Sequence, residues 1–210
     1  MTTLRNLIFD FGNVLFPLDL DATERYLRRC LGDRFEAARE QWLAADAFHR
    51  YETGALSTDD FVEILRRAVN PPLPVEEVLS AWNAIFLDMP NVYLELLERL
   101  RAHYRVFLLS NINELHAQWI DRYLAEVHNC RDFHRRCFDA VYYSYRIGLR
   151  KPDQRIYTHV LQDANLRPEE TVFIDDIEAN VRAAESLGIR TILKTPDVDT
   201  EHLMRAFLPS

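Results

Sequence analysis

The chain has 210 residues, of which 48% are hydrophobic and 28% charged, and its formal net charge is −8. That is apolar material for one domain, or one domain plus a small companion, and too much for a disordered chain. The excess of acid argues against binding driven by the phosphates of nucleic acid or an anionic membrane, and five glycines with nine prolines exclude collagen-like and low-complexity classes.

In chain order, residues 4–9 form an apolar run of strand length that stops at Asp10. The run is too short for a signal-peptide core, and no segment reaches the ~20 apolar residues of a spanning helix, so a cytoplasmic location is expected. Helical spacing follows over residues 21–31, 35–45, 58–69 and 75–86. Ser57-Thr58-Asp59-Asp60 resembles a capping box with Asp in place of Glu, and Asn70-Pro71-Pro72-Leu73-Pro74 is a stiff break. A further helix is predicted over 92–103, with Leu94, Leu97 and Leu100 on one face. Strands are predicted at 104–109, 139–143, 171–174 and 189–193, where β-branched and aromatic residues concentrate. Between the later strands, residues 152–164 and 177–187 read as helices, with Pro152 suited to a first turn and Gly188 to a stop.

Apolar strands alternating with helices predict an α/β fold, a Rossmann-like parallel sheet with helices on both faces. One interval is too long. Asp10 and Ser110 lie 100 positions apart, where one helix and the next strand take about 30. The surplus reads as a small inserted all-helical cap at 16–88, leaving 1–15 and 89–210 as the core, with Phe16 and Pro17 at the hinge.

Ligands bind an open parallel sheet at the carboxyl ends of its strands. Those ends carry Asp10, then Ser110 and Asn111, then Lys151 in the loop after the third strand, then Asp175 and Asp176. Each is unremarkable alone: a strand-end Asp usually caps a helix, and Ser-Asn usually makes a turn. Together they bring three carboxylates to one rim, and three acids at close range call for a cation. An all-oxygen donor set suits Mg²⁺. A dication, a lysine, a hydroxyl and an amide are what a phosphate dianion needs.

These segments resemble the four motifs of the haloacid dehalogenase-like hydrolase superfamily. Ile8-Phe9-Asp10-Phe11-Gly12-Asn13 matches the first, Leu109-Ser110-Asn111 the second, Arg150-Lys151-Pro152 the third, and Phe173-Ile174-Asp175-Asp176 through Asn180 the fourth. The insert sits where that superfamily carries its type C1 helical cap. Ala47-Phe48-His49 with Glu52 and Gly54, and Arg155-Ile156-Tyr157, are similar to the bacterial α-D-glucose-1-phosphate phosphatases. The fourth motif also resembles the phosphatase domain of soluble epoxide hydrolases.

The resemblance implies a Mg²⁺-dependent phosphomonoester hydrolase for a small phosphorylated metabolite, such as glucose-1-phosphate, working through an aspartyl-phosphate. By position, Asp10 is the nucleophile. Asp10, Asp176 and the Gly12 carbonyl hold Mg²⁺, with Asp175 supporting the metal shell or holding Lys151. Ser110, Asn111 and Lys151 bind the phosphoryl group. The expected state is a monomer or homodimer, with no nucleic-acid or membrane partner.

One departure stands out. The commonest first motif has a second Asp two residues after the nucleophile, which protonates the leaving group. Gly12 stands there and cannot, which favours an activated leaving group such as an anomeric hydroxyl, with His49 and Glu52 as candidate substitute acids. L-2-haloacid dehalogenases also lack that Asp, but they lack a paired acid like Asp175-Asp176. A phosphonoacetaldehyde hydrolase needs a cap lysine, and Lys151 and Lys194 both lie outside 16–88. A catalytically silent binding or regulatory protein on the same fold is the non-enzymatic alternative. Cys130, His134 and Cys137 could share a helical face with His128 nearby, but ten residues do not readily surround a tetrahedral zinc. They read instead as a helix with two half-buried thiols among arginines.

Overall fold

The computed structural model describes residues 3–208. The chain enters through β1 (Asn6–Phe9) and leaves at once for five cap helices: α1 (Ala22–Leu31), α2 (Phe35–Ala44), α3 (Ala47–Glu52), α4 (Thr58–Arg67) and α5 (Val75–Asn83). It returns through α6 (Val92–Arg101), β2 (Arg105–Ser110), α7 (Glu114–Val127), α8 (Phe133–Cys137), β3 (Ala140–Tyr143) and α9 (Ser144–Ile147). The remainder is α10 (Gln154–Asp163), β4 (Thr171–Asp175), α11 (Glu178–Glu185), β5 (Arg190–Leu193) and α12 (Thr200–Met204).

The five strands form one sheet in the order β3-β2-β1-β4-β5, every pair parallel. The side-chain period of two divides the central strands between two cores. Leu7, Phe9, Val106, Leu108, Val172 and Ile174 pack under α6, α7, α8 and α12. Ile8, Phe107, Leu109 and Phe173 pack under α10 and α11. Both faces are covered, which is why these strands read as unbroken apolar runs rather than alternating ones.

The cap has its own buried cluster, including Leu27, Phe35, Trp42, Phe61, Leu65 and Val78. Trp42 and Phe61 are therefore cap packing. The two chain crossings run side by side: Asp19 N–H donates to Ile85 O at 2.8 Å and Leu87 N–H to Pro17 O at 3.1 Å, around a Leu18–Phe86 antiparallel bridge.

Three local expectations need correction. Pro152 is not in a helix: α10 begins at Gln154, capped by Asp153, whose carboxylate accepts from Arg155 N–H at 2.9 Å. At α4, the Ser57 hydroxyl does accept from Asp60 N–H at 3.1 Å, but the Asp60 carboxylate accepts from the Ser57 hydroxyl at 2.7 Å. Asp is one methylene shorter than Glu, and here it returns to the hydroxyl rather than to the backbone. Cys130 precedes α8 instead of sharing its face, and both it and Cys137 are fully rather than half buried, at 1% exposure.

Candidate active site

Asp10 directly follows β1, and its N–H extends the ladder to Ile174 O at 2.8 Å. It is 7% exposed. Lys151, 2% exposed, reaches the same rim from the loop before α10. Its ammonium spends its three donors on Asp10 Oδ1 at 2.7 Å, Asp175 Oδ2 at 2.6 Å and Leu109 O at 3.0 Å. Asp175 ends β4 and is wholly buried. Its Oδ1 accepts from Ile177 N–H at 2.8 Å, and Asn180 Nδ2 donates to its two oxygens at 2.9 and 3.1 Å.

Asp176 lies one residue further, half-buried. Asn13 Nδ2 donates to its Oδ2 at 3.2 Å, while Asn13 Oδ1 accepts from Leu18 N–H at 3.1 Å. Asn13 holds this bridge from a left-handed backbone, φ 54°, which Asn tolerates better than most residues. One oxygen from each of Asp10, Asp175 and Asp176 lies within 4.8 Å of the others, the one group of potential metal ligands with that spacing among the described residues.

The electrostatics follow from burial. Desolvation pushes Asp10 up to about 7, opposed by Lys151 and reinforced by Asp175. Burial would lower Lys151, but the charges and hydrogen bonds of Asp10 and Asp175 outweigh it and hold the ammonium above its ordinary value. Asp176 is also raised, by burial first, against its hydrogen bond from Asn13. When ionised, the three acids outweigh the lysine by two negative charges, and a dication would balance that excess and favour the charged form of both raised carboxyls. Asp175 is already committed to Lys151, Ile177 and Asn180, so Asp10 and Asp176 are the carboxylates best placed to serve an ion. The all-oxygen set fits Mg²⁺.

Ser110 is buried at the end of β2. Asn111, expected to bind phosphate, turns its side chain to the Lys151 backbone. Its Oδ1 accepts from Lys151 N–H at 2.8 Å, and its Nδ2 donates to Lys151 O at 2.9 Å. It thereby fixes the lysine's backbone. At Gly12, an added Cβ would sit 2.7 Å from Leu18 Cδ1. The space of the absent acid is occupied by an apolar side chain from the cap linker.

The candidate substitute acids belong to a cap–core contact. Glu52 Oε2 pairs with Arg150 Nη2 at 2.9 Å. Arg150 Nη1 donates to His49 Nδ1 at 3.3 Å. A cavity of about 400 Å³ lies beside them, lined in part by His49, Thr53, Leu149, Arg150 and Arg155. Tyr51 is buried with its hydroxyl bonded to Thr58 and Leu115. Arg146 lies over the rings of Tyr143 and Tyr145. Burial pushes the Cys137 thiol up to about 12, so it stays protonated and inert.

Asn13, Asn113, Ser144 and Asn180 carry much of this geometry, yet sequence reasoning gave them no role. Asn180 falls inside the fourth motif and five residues after Asp175, a spacing that brings it back over a helix start. For Ser144 and Asn113 no local signal exists.

A model of the haloacid dehalogenase-like hydrolases matches residues 4–188. The chain belongs to that family. It is 29% identical over 210 residues to the D-ribitol-5-phosphate phosphatase of Bacteroides thetaiotaomicron, covering 99% of this chain and 100% of that one. It is 28% identical to the sesquiterpene phosphatase astK of Aspergillus oryzae, over 90% of this chain and 88% of the other. The haloacid dehalogenase family enzyme bt-2542 of Bacteroides thetaiotaomicron, solved with magnesium and inorganic phosphate, superposes with a TM-score of 0.86 at 30% identity, covering 96% of this chain and 100% of that one.

Proposed function

We propose that this hydrolase removes phosphate from a small phosphorylated metabolite, with Asp10 as nucleophile and Mg²⁺ as cofactor. The observation that carries the proposal is the buried Lys151 ammonium shared between Asp10 and Asp175, with Asp176 close enough to complete an ion site. Asp10, Asp176 and the Gly12 carbonyl would hold the Mg²⁺, which supplies positive charge to the transferring phosphoryl group.

The rest of the chemistry falls to the chain. Lys151 grips one oxygen of Asp10 and fixes the plane of the carboxylate. A carboxylate oxygen of Asp10 forms a bond to phosphorus as the bond from phosphorus to the ester oxygen breaks. Gly12 offers no acid, so the departing oxygen takes its proton from water. Water then attacks the phosphorus of the aspartyl-phosphate, the bond to Asp10 breaks, and inorganic phosphate leaves. Ser110 donates its hydroxyl to the phosphoryl oxygens, and Asn111 holds Lys151 in place throughout. Such transfer depends on positioning and charge more than on acid–base chemistry.

For the substrate we favour a sugar or polyol monophosphate. The ribitol-phosphate phosphatase that matches end to end supports it, as does the polar cap–core contact of His49, Glu52 and Arg150 beside the cavity. Glucose-1-phosphate is the activated case of this class. Ribitol-5-phosphate is the ester of an ordinary alcohol, so its turnover by this chain would show that the missing acid does not require an anomeric leaving group. A cytoplasmic location belongs to the same reading; no described helix is long and apolar enough to cross a membrane.

A panel of glucose-1-phosphate, ribitol-5-phosphate and a prenyl monophosphate, assayed with Mg²⁺ and with chelator, tests the proposal. Sugar or polyol phosphates should lead. Asp10→Asn should lose more than about a thousandfold in kcat, and chelation should abolish turnover. Best activity on the prenyl ester would overturn the substrate class, and full activity after chelation would overturn the mechanism.

A further inference from the structure

We propose that Glu52 of the cap is a positioning residue for Lys151, coupling the docking of the cap to the catalytic loops through Arg150 and Ser144. The proposal rests on Lys151 acting with Asp10 as described above.

Glu52 touches the core twice. Its carboxylate pairs with Arg150 at 2.9 Å, and Arg150 is bonded directly to Lys151 in the chain. Its backbone carbonyl accepts from the Ser144 hydroxyl at 2.7 Å. Ser144 is fully buried, and its oxygen also accepts from Ile112 N–H at 3.0 Å, directly after Asn111. Asn111 in turn grips the Lys151 backbone at 2.8 and 2.9 Å. Residues 111–112 and 150–151 therefore form one hydrogen-bonded unit, and Glu52 holds it at both ends.

Two features show that this contact is built in. Gly54 has φ 69°, and an added Cβ there would lie 2.2 Å from Tyr145 O. The cap backbone approaches the core as closely as glycine alone permits. The Ser144 hydroxyl also has a second acceptor, Ile112 O, at 3.0 Å. It carries one hydrogen, so it serves Glu52 when the cap is docked and can turn to Ile112 when it is not. Undocking thus leaves no buried hydroxyl donor unpaired, and the contact can exchange between two satisfied states.

A group that acts only by orienting Lys151 should change kcat more than KM. Glu52→Gln and Arg150→Ala should each lower kcat by about tenfold to a hundredfold, the scale expected for misplacement by about an ångström, with KM for a small aryl phosphate changed less than about threefold. The double variant should be no worse than the poorer single one, because both break the same link. The reversed pair, Glu52→Arg with Arg150→Glu, should recover part of kcat. Gly54→Ala keeps both charges but obstructs the approach, and should lower kcat alike; it serves if an Arg150 variant fails to fold. Additive losses, an unchanged kcat in Glu52→Gln, or a loss confined to KM would each overturn the proposal. Wild-type turnover that needs Mg²⁺ and Asp10 would stand in any of those cases, so failure here is separable from failure of the proposed function.

Discussion

At the scale of single residues, Gly12 explains more than the absence of an acid. A side chain there would meet Leu18 Cδ1, 2.7 Å from the first carbon. The two positions share one space. The contact is with the far end of a half-buried leucine, which can turn aside, so Gly12→Ala should cost less than about 1 kcal/mol, and Leu18→Ala in the same chain should recover part of that loss. Urea unfolding of the two single variants and the double variant measures it, and strictly additive costs would disprove the coupling. The convergence of Asp10, Lys151 and the acid pair was legible in the sequence because each sits beside a strand end and has a charge that must be explained. Asn111 was found, but not the backbone that its side chain holds. An amide can donate and accept, and only the fold shows that both functions turn to the Lys151 backbone.

At the scale of elements, the strands were placed closely because burial on both faces makes them short, continuous and apolar. Helix starts were less secure, since they depend on which side chain reaches which orphan N–H. Ser57 is such a group, accepting from Asp60 N–H at 3.1 Å at the start of α4. Ser57→Ala should cost about 1 kcal/mol, seen as a lower urea midpoint with unchanged slope; a cost near zero would show that the neighbouring acids of the first turn suffice. α7 gave no clear signal beforehand. Its buried residues are His116, Ala117, Ile120 and Leu124, and a stripe that begins with a histidine does not read as an apolar face. α3 was missed for a similar reason: it is six residues long, too short to show a period.

At the scale of the whole molecule, the cap is also fastened to the core beside its linkers. His116 Nε2 lies 3.0 Å from Trp82 O, and a carbonyl can only accept, so the hydrogen is on Nε2. Nδ1 then accepts from Asn113 Nδ2 at 3.1 Å. Asn113 Oδ1 takes the Trp82 indole N–H at 3.2 Å and His116 N–H at 3.0 Å. The ring closes between the end of α5 and the start of α7, and it is complete only with a neutral imidazole. Burial pushes His116 down to about 4 from 6.5. The unfolded chain therefore takes up this proton near pH 6.5 and the folded one does not until about pH 4. The contribution of His116 to stability is full above about pH 6.5 and falls as pH drops through that window, by about 3 kcal/mol in total and about 2 by pH 5. Urea unfolding at pH 7 and pH 5 should show His116→Gln losing less on acidification than the parent. An equal loss in both would remove His116 from the account.

The parallel sheet, the helical insert and the charged residues of the rim can all be read from the amino-acid order. Those features depend on local periodicity and on strand ends, where the chain order alone puts Asp10, Ser110, Lys151 and Asp175 at one edge. How they are held emerges only on folding. The bonds from Asn180 to Asp175, Asn111 to Lys151, Asn13 to Asp176 and Ser144 to Glu52 join residues between 5 and 163 positions apart. Neutral amides and hydroxyls carry no long-range field and no periodicity. Their roles are set by distances of about 3 Å, and those exist only once the chain has folded.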